Sequence, residues 1–234
     1  MPLSDYFSLT RVINLADRKD RYGEIEQQLK LLGMPFAPGK VEVFAAQRPT
    51  EAAGFPGIGV YGCFLSHLAI LKDARDRGVE SVLVIEDDLE VGAEDRARLV
   101  ELMERSKDAR WGVLHLGHIQ ELPPVDEPRL IPFDGPVQTA HLYAIHRDVL
   151  PPLIEYLEGC LVRPPGDPVG GPMHYDGALT MFRAANPSVV TLIAQPSLGG
   201  QRSSRSDITT RPLDKVPGVK QALAVLRKLK RALG

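Results

Sequence analysis

The chain has 234 residues, of which 44% are hydrophobic and 25% are charged, and its formal net charge is −2. This composition is typical of a soluble globular protein and excludes wholesale disorder, collagen and coiled coil. The uncharged apolar stretches are far shorter than the roughly 20 residues that a membrane-spanning helix needs, so we expect no integral membrane protein.

Charge and cysteine content limit the partners and the compartment. Six of the 28 basic residues and none of the 30 acidic residues follow Asp214, so residues 1–214 carry a net charge of −8. An acidic body argues against a nucleic-acid-binding protein, which needs a cationic surface for phosphates. Residues 1–10 show no secretion signal, and Cys63 and Cys160 lie far apart, outside any metal or redox spacing. We expect a cytoplasmic protein with reduced thiols.

Strand and helix patterns alternate along the chain. The predicted strands are 12–15, 41–45, 81–85, 111–116, 139–145 and 189–193, and the predicted helices are 18–32, 59–77, 94–106, 148–158, 175–185 and 219–233. Asp17 is predicted to cap the first helix and Gly33 to end it. The Pro-rich segments 119–137 and 164–172 are predicted loops, and 195–218 a mobile segment. The alternation predicts one α/β domain over residues 1–218, with a mixed, mostly parallel sheet flanked by helices and then an amphipathic helix at 219–234.

An acidic run, Glu86-Asp87-Asp88, directly follows the apolar strand at 81–85. Adjacent carboxylates repel one another unless a cation or water relieves them, and ligands of open α/β sheets bind beyond the carboxyl ends of strands. Strand alternation puts Glu86 and Asp88 on one face and Asp87 on the other. The run is therefore predicted to hold Mg²⁺ or Mn²⁺ against a diphosphate. The alternative is a solvated acidic turn.

The first strand runs into a basic helix start, where Asn14, Arg18 and Arg21 are near one another in sequence. Such a start suits an anionic ligand, although a salt-bridged helix terminus has the same pattern. Asp176 opens a predicted helix after a loop rich in Pro and Gly. It is either a general base at the mouth of a site or an ordinary helix-start carboxylate.

Three further patterns favour no catalytic role by themselves. Ser66 and His67 are neighbours on a predicted helix and point about 100° apart, so they are no nucleophile–base pair. Residues 57–62 fit GxGxxG, but no strand precedes them, which disfavours a dinucleotide site. His115 and His118 lack the spacing of a zinc site without other ligands.

Three stretches in order resemble glycosyltransferase family 25, the family of bacterial lipooligosaccharide galactosyltransferases and procollagen galactosyltransferases. They are VINLADRKDR (12–21), GCFLSHLAILKDA (62–74) and VLVIEDDLEV (82–91), with weaker matches in HLYAIHR (141–147), HYDGAL (174–179) and QPSLGGQRSSRSDI (195–208). The resemblance implies a GT-A-like nucleotide-sugar-binding domain. It further implies transfer of a hexose, usually galactose, from a UDP-sugar to a hydroxyl of a glycan or lipooligosaccharide, with inversion at the anomeric carbon.

The resemblance also implies roles for individual residues. Asp176 matches the acidic position after the loop and is the predicted base. Asp88, helped by Glu86, is predicted to bind Mn²⁺ or Mg²⁺. Through this ion Asp88 is also a predicted catalytic residue. The acidic motif is Glu-Asp-Asp here rather than Asp-x-Asp. The implied nucleotide-sugar contacts are Asn14, Arg18, Arg21, Ser66, His67, Glu86 and Asp87.

The C-terminal segment is basic and amphipathic. Residues 219–233 place a leucine stripe opposite Lys and Arg, which predicts peripheral contact with an anionic membrane surface and suits a lipid-linked acceptor. Packing of that helix on its own domain or on a second subunit is the alternative.

The main functional rival is a non-catalytic GT-A-like module that binds a nucleotide sugar or glycan. A nucleotidyltransferase is disfavoured because no Gly-rich phosphate loop follows the first strand.

Overall fold

A seven-stranded sheet lies at the centre of residues 3–202, the part of the chain that the computed structural model describes. The strands of this part are β1 (Leu9–Asn14), β2 (Val41–Ala45), β3 (Ser81–Glu86), β4 (Leu89–Glu90), β5 (Val113–Gly117), β6 (Arg129–Pro132), β7 (Leu142–His146), β8 (Thr191–Gln195) and β9 (Gly200–Gln201). The large sheet has the order β2-β1-β3-β7-β5-β8-β6, and β4 pairs with β9 separately. Strands β7 and β6 run against the other five strands of the large sheet.

Helices cover both faces of this sheet. They are α1 (Lys19–Leu32), α2 (Ile58–Asp76), α3 (Asp95–Arg105), α4 (Leu150–Val162) and α5 (Tyr175–Ala185). Helices α2, α4 and α5 share one apolar core with Val82 and Val84 of β3. Helices α1 and α3 share a second core with Leu83 and Ile85 of the same strand. Because successive side chains of a strand point to opposite faces, a strand buried on both sides must be apolar throughout, as β3 is.

The predicted fold class, an α/β domain with a mixed, mostly parallel sheet flanked by helices, is confirmed. The bounds of β2 and α5 agree with the predicted ranges, and Gly33 ends α1 in the left-handed conformation as predicted. None of the helices within residues 3–202 is long and apolar enough to cross a membrane. The predicted helix at 219–234 lies outside the described residues, as does most of 195–218.

Three local expectations are corrected. Strand β6 lies inside the predicted loop 119–137, where it pairs with β8. Residues 200–201 form β9, although they were expected to be mobile. Asp17 does not cap α1, because the helix begins after Arg18 without a side-chain cap and the Asp17 carboxylate instead accepts from Arg48 at 2.6 Å.

Gly62 marks a close approach between α2 and the loop that follows β2. A methyl group at Gly62 would lie 2.6 Å from the Gln47 carbonyl oxygen, closer than real side chains come. The Ser66 hydroxyl secures the same approach, since it accepts from the Gln47 N–H at 2.8 Å and donates to the Gly62 carbonyl at 2.7 Å. Gly62 and Ser66 of the GCFLSH motif therefore attach this loop to α2.

We predict that Gly62→Ala destabilises the protein, because the added methyl group clashes with the Gln47 backbone, which can move only at a cost in free energy. Overpacking of this kind costs about 1–3 kcal/mol, which exceeds the gain of up to about 1 kcal/mol in helix propensity. The matched control is Gly23→Ala in α1, where the new methyl meets nothing within 4 Å and propensity alone should stabilise. Urea unfolding measures both free energies. Equal stabilisation by the two substitutions would contradict the close approach.

Candidate functional site

The candidate site lies where β1 and β3 end side by side. These strands are parallel neighbours, with Ile13 opposite Glu86, so Asn14 and the acidic run 86–88 meet at one edge of the sheet. The carboxyl ends of parallel strands are where open α/β sheets bind ligands. The structure thereby brings together two predicted segments that are more than 70 residues apart in sequence.

Asp87 is bonded within the protein. Arg21 of α1 donates to Asp87 Oδ1 at 2.6 Å, and the Asn14 amide donates to Asp87 Oδ2 at 2.8 Å. Arg21 and Asp87 are each only 8% exposed. Burial raises the pKa of Asp87, although Arg21 and Asn14 act in the opposite direction. Both oxygens have protein partners, so Asp87, Asn14 and Arg21 form a structural link rather than an open contact surface for a ligand.

Glu86 points to the other face, toward α2, as strand alternation predicts. Its Oε1 lies 3.3 Å from His67 Nε2, and its Oε2 accepts from the Gln201 amide at 3.4 Å. Burial by itself would raise the pKa of Glu86, but the hydrogen bond and charge of His67, helped by His141, lower it. Glu86 is therefore held in its ionised form.

His67 is fully buried and held from two sides. Its ring stacks on Tyr175 with centroids 4.0 Å apart, and its Nδ1 lies 2.9 Å from the Tyr143 hydroxyl. The Tyr143 hydroxyl donates to that of Tyr175 at 2.8 Å. A hydrogen-bonded chain thus runs from Glu86 through His67 to two buried tyrosines.

Asp88 differs from both of its acidic neighbours. Its Oδ1 is buried and has no hydrogen-bond partner among residues 3–202. Burial, followed by the charges of Glu86 and Asp87, raises the pKa of Asp88 to about 7. Unpartnered buried polar atoms are rare in proteins and mark strain, catalysis or a missing ligand. Of the three carboxylates, Asp88 is therefore the one whose environment fits a bound cation.

Asp176 lies in the first turn of α5. Its Oδ2 accepts from the Thr139 N–H at 3.0 Å and its Oδ1 accepts from the Gly177 N–H at 2.8 Å, so backbone groups fix the carboxylate. Burial raises the pKa of Cys63, and the negative charges of Glu86, Asp176 and Asp88 add to this effect. Glu86, Asp88 and Asp176 therefore all lie near Cys63 of α2.

Arg18 and Ser66 both form hydrogen bonds within the protein. Arg18 pairs with Asp20 through two bonds of 3.0 and 2.9 Å, which lowers the pKa of Asp20 to about 2. Ser66 is fully buried with its hydroxyl bonded inside the protein, so it has no exposed atom with which to contact a nucleotide sugar. The predicted contact of Ser66 is thus corrected to a supporting role within the motif.

The site also contains residues that sequence reasoning missed, namely Cys63, Tyr143, Tyr175, His141 and Gln201. Cys63 had a visible signal, because it lies four residues before His67 and shares its helix face. The tyrosines belong to two of the weaker matches to the family, HLYAIHR and HYDGAL. Their contacts with His67 were not visible, because these contacts depend on the packing of β7 and α5 against α2.

Comparison with known proteins confirms the resemblance to glycosyltransferase family 25. Human procollagen galactosyltransferase 2 is 33% identical over 92 residues, which are 38% of this chain and 14% of that protein. Procollagen galactosyltransferase 1 of Danio rerio is 33% identical over 108 residues, 44% of this chain and 17% of that protein. Human inactive glycosyltransferase 25 family member 3 is 33% identical over 97 residues, 41% of this chain and 15% of that protein. The matched stretch spans less than a fifth of each of these relatives.

Two other comparisons add little. No family model matches the sequence. A crystal structure of a glycosyltransferase involved in the glycosylation of the major capsid of PBCV-1 superposes with a TM-score of 0.48 and 12% identity, covering 85% of this chain and 94% of that one. A score at this level does not define a common fold.

The raised pKa of Asp88 predicts that stability depends on pH. The folded chain keeps this proton up to about pH 7, whereas the unfolded chain, with the ordinary pKa of 3.8, releases it earlier. The contribution of Asp88 to the free energy of unfolding should therefore fall as the pH rises from about 4 to about 7, by on the order of 2–4 kcal/mol, and then level off.

Asp88→Asn removes this titration. Over the same pH interval, the free energy of unfolding of the variant should therefore increase relative to that of the wild type. Urea unfolding with EDTA at a series of pH values measures it. The control is Asp108→Asn, which replaces an exposed aspartate and should keep the wild-type profile. A constant difference between Asp88→Asn and wild type would show that Asp88 is already ionised at low pH.

Proposed function

We propose that this protein is a glycosyltransferase with a GT-A-like nucleotide-sugar-binding domain. It transfers a hexose from a UDP-sugar to a hydroxyl group of a glycan or lipid-linked saccharide. Galactose is the proposed hexose, because three of the similar proteins are named procollagen galactosyltransferases. The observation that carries the proposal is the unpartnered carboxylate oxygen of Asp88 just after β3, within one of the three motifs that resemble the family.

Asp88 and Glu86 are the proposed ligands of Mn²⁺ or Mg²⁺. Carboxylate oxygens are the donors that these hard cations prefer, and the buried Oδ1 of Asp88 has no other partner in the described part of the chain. When bound, such an ion supplies positive charge that stabilises a departing diphosphate. Glu86 contributes one ionised carboxylate, which His67 and Gln201 orient.

The remaining steps belong to side chains of the protein. Asp176 is the proposed base, which removes the proton of the acceptor hydroxyl as its oxygen attacks the anomeric carbon. The bond from that carbon to the UDP oxygen breaks on the opposite face, and the electron pair leaves with UDP. A single displacement with one base gives inversion. The link between Arg21, Asn14 and Asp87 keeps the acidic turn in place during this step.

A non-catalytic module that binds a nucleotide sugar or glycan is the second candidate function. One observation favours it: proteins named as inactive members of the family are 31–34% identical to this chain, about as similar as the named galactosyltransferases. The two functions are therefore distinguished by experiment, through measurement of both binding and turnover.

We predict that Asp88→Asn and Asp176→Asn fail at different steps. Asp88→Asn should weaken Mn²⁺-dependent binding of the UDP-sugar and lower turnover by about 100-fold or more. Asp176→Asn should lower kcat by about 100-fold with unchanged donor binding. Calorimetry measures binding, and release of UDP measures turnover without a known acceptor.

Asp108→Asn, at an exposed position, is the control and should behave as wild type in both measurements. A wild-type protein that binds a UDP-sugar and releases no UDP, with a panel of glycan acceptors present, would establish the binding module instead. Binding and turnover that are the same with Mn²⁺ and with EDTA would contradict the role of the cation.

A further inference from the structure

We propose that Cys63, His67 and Glu86 form a second cation site, suited to a borderline-soft divalent ion such as Zn²⁺. The Cys63 sulfur, a ring nitrogen of His67 and a carboxylate oxygen of Glu86 lie within 4.8 Å of one another. A thiolate, an imidazole and a carboxylate are typical zinc ligands, whereas Mg²⁺ and Mn²⁺ favour oxygen. This ligand set includes no atom of Asp88.

The spacing of the two closest ligand atoms suits zinc. His67 Nε2 and Glu86 Oε1 are 3.3 Å apart. Two atoms each bound at ~2.0–2.1 Å to a tetrahedral ion lie about 3.3 Å from one another, so this pair needs little rearrangement to share an ion. Cys63 lies one turn before His67 on α2, which brings its sulfur to the same face of the helix.

The buried tyrosines prepare His67 to be a ligand. Tyr143 donates its hydroxyl proton to Tyr175, so the Tyr143 oxygen accepts from His67 Nδ1. His67 Nε2 faces Glu86 Oε1, so the two atoms are placed to bind one ion. Metal-binding histidines commonly use their second nitrogen in such a supporting bond.

Charge and access also favour an ion here. Cys63 and Glu86 are half-buried, so solvent reaches two of the three ligands. The negative charges of Asp88 and Asp176 act on Cys63 in addition to that of Glu86. Three protein ligands leave one tetrahedral position open, as in zinc sites that bind water or substrate.

Cobalt binding to the untagged, reduced, full-length protein tests the site, because a cobalt–thiolate bond gives charge-transfer absorption in the near ultraviolet. We expect one equivalent of Co²⁺ with this absorption, displaced by Zn²⁺. Cys63→Ser should remove the absorption and weaken binding at least about 100-fold. Cys160→Ser is the matched control, since Cys160 is the other free cysteine and is buried in the core away from this ligand set.

One further variant separates this site from the proposed sugar-nucleotide site, with which it shares Glu86. Asp88→Asn should keep the cobalt–thiolate absorption even where it loses Mn²⁺-dependent UDP-sugar binding, whereas Glu86→Gln should weaken the binding of both ions. The proposal is overturned by a protein that binds no Co²⁺, by binding without thiolate absorption, or by a Cys63→Ser spectrum equal to that of wild type.

Discussion

The buried ion pair between Arg21 and Asp87 determines how the acidic turn is arranged. It joins α1 to the end of β3, and Asn14 adds the end of β1 to the same link. Removing one partner of a buried pair leaves an unpaired charge and typically costs about 3–5 kcal/mol, so this link resists change. Because Asp87 is directed to α1, its neighbour Glu86 faces α2 on the opposite side of the sheet. Asp88 follows with no partner for its buried oxygen among the described residues.

Three consecutive carboxylates consequently have three different environments. Asp87 is neutralised by a cation of the protein, Glu86 is kept ionised beside His67, and Asp88 has its pKa raised to about 7 by burial and by its two neighbours. Environments that separate the pKa values of neighbouring acids are a common feature of functional sites. In this structure the pKa values separate for two reasons. Side chains alternate between the faces of the sheet, and a different helix covers each face.

Local sequence patterns predicted the elements that depend on neighbouring residues or on burial of both faces of a strand. The apolar run of β3, the Gly33 terminus of α1 and the bounds of α5 were all visible. Strand β6 was not, because its residues are partly exposed and Pro132 ends it, and it exists through pairing with β8. Likewise, the capping of α1 by Asp17 was reasonable from spacing, but Arg48 from a distant loop competes for that carboxylate.

The same distinction applies to the site. The acidic run was recognisable because its charges are adjacent, but which oxygen stays unpartnered depends on Arg21, Asn14, His67 and Gln201, which come from four separate segments. A crystal grown with a UDP-sugar and Mn²⁺ tests the central claim most directly, through the anomalous signal of manganese. The account predicts manganese bound to Asp88 Oδ1 and to the diphosphate. Manganese elsewhere, or a nucleotide bound away from a solvent-facing Asp88, would contradict it.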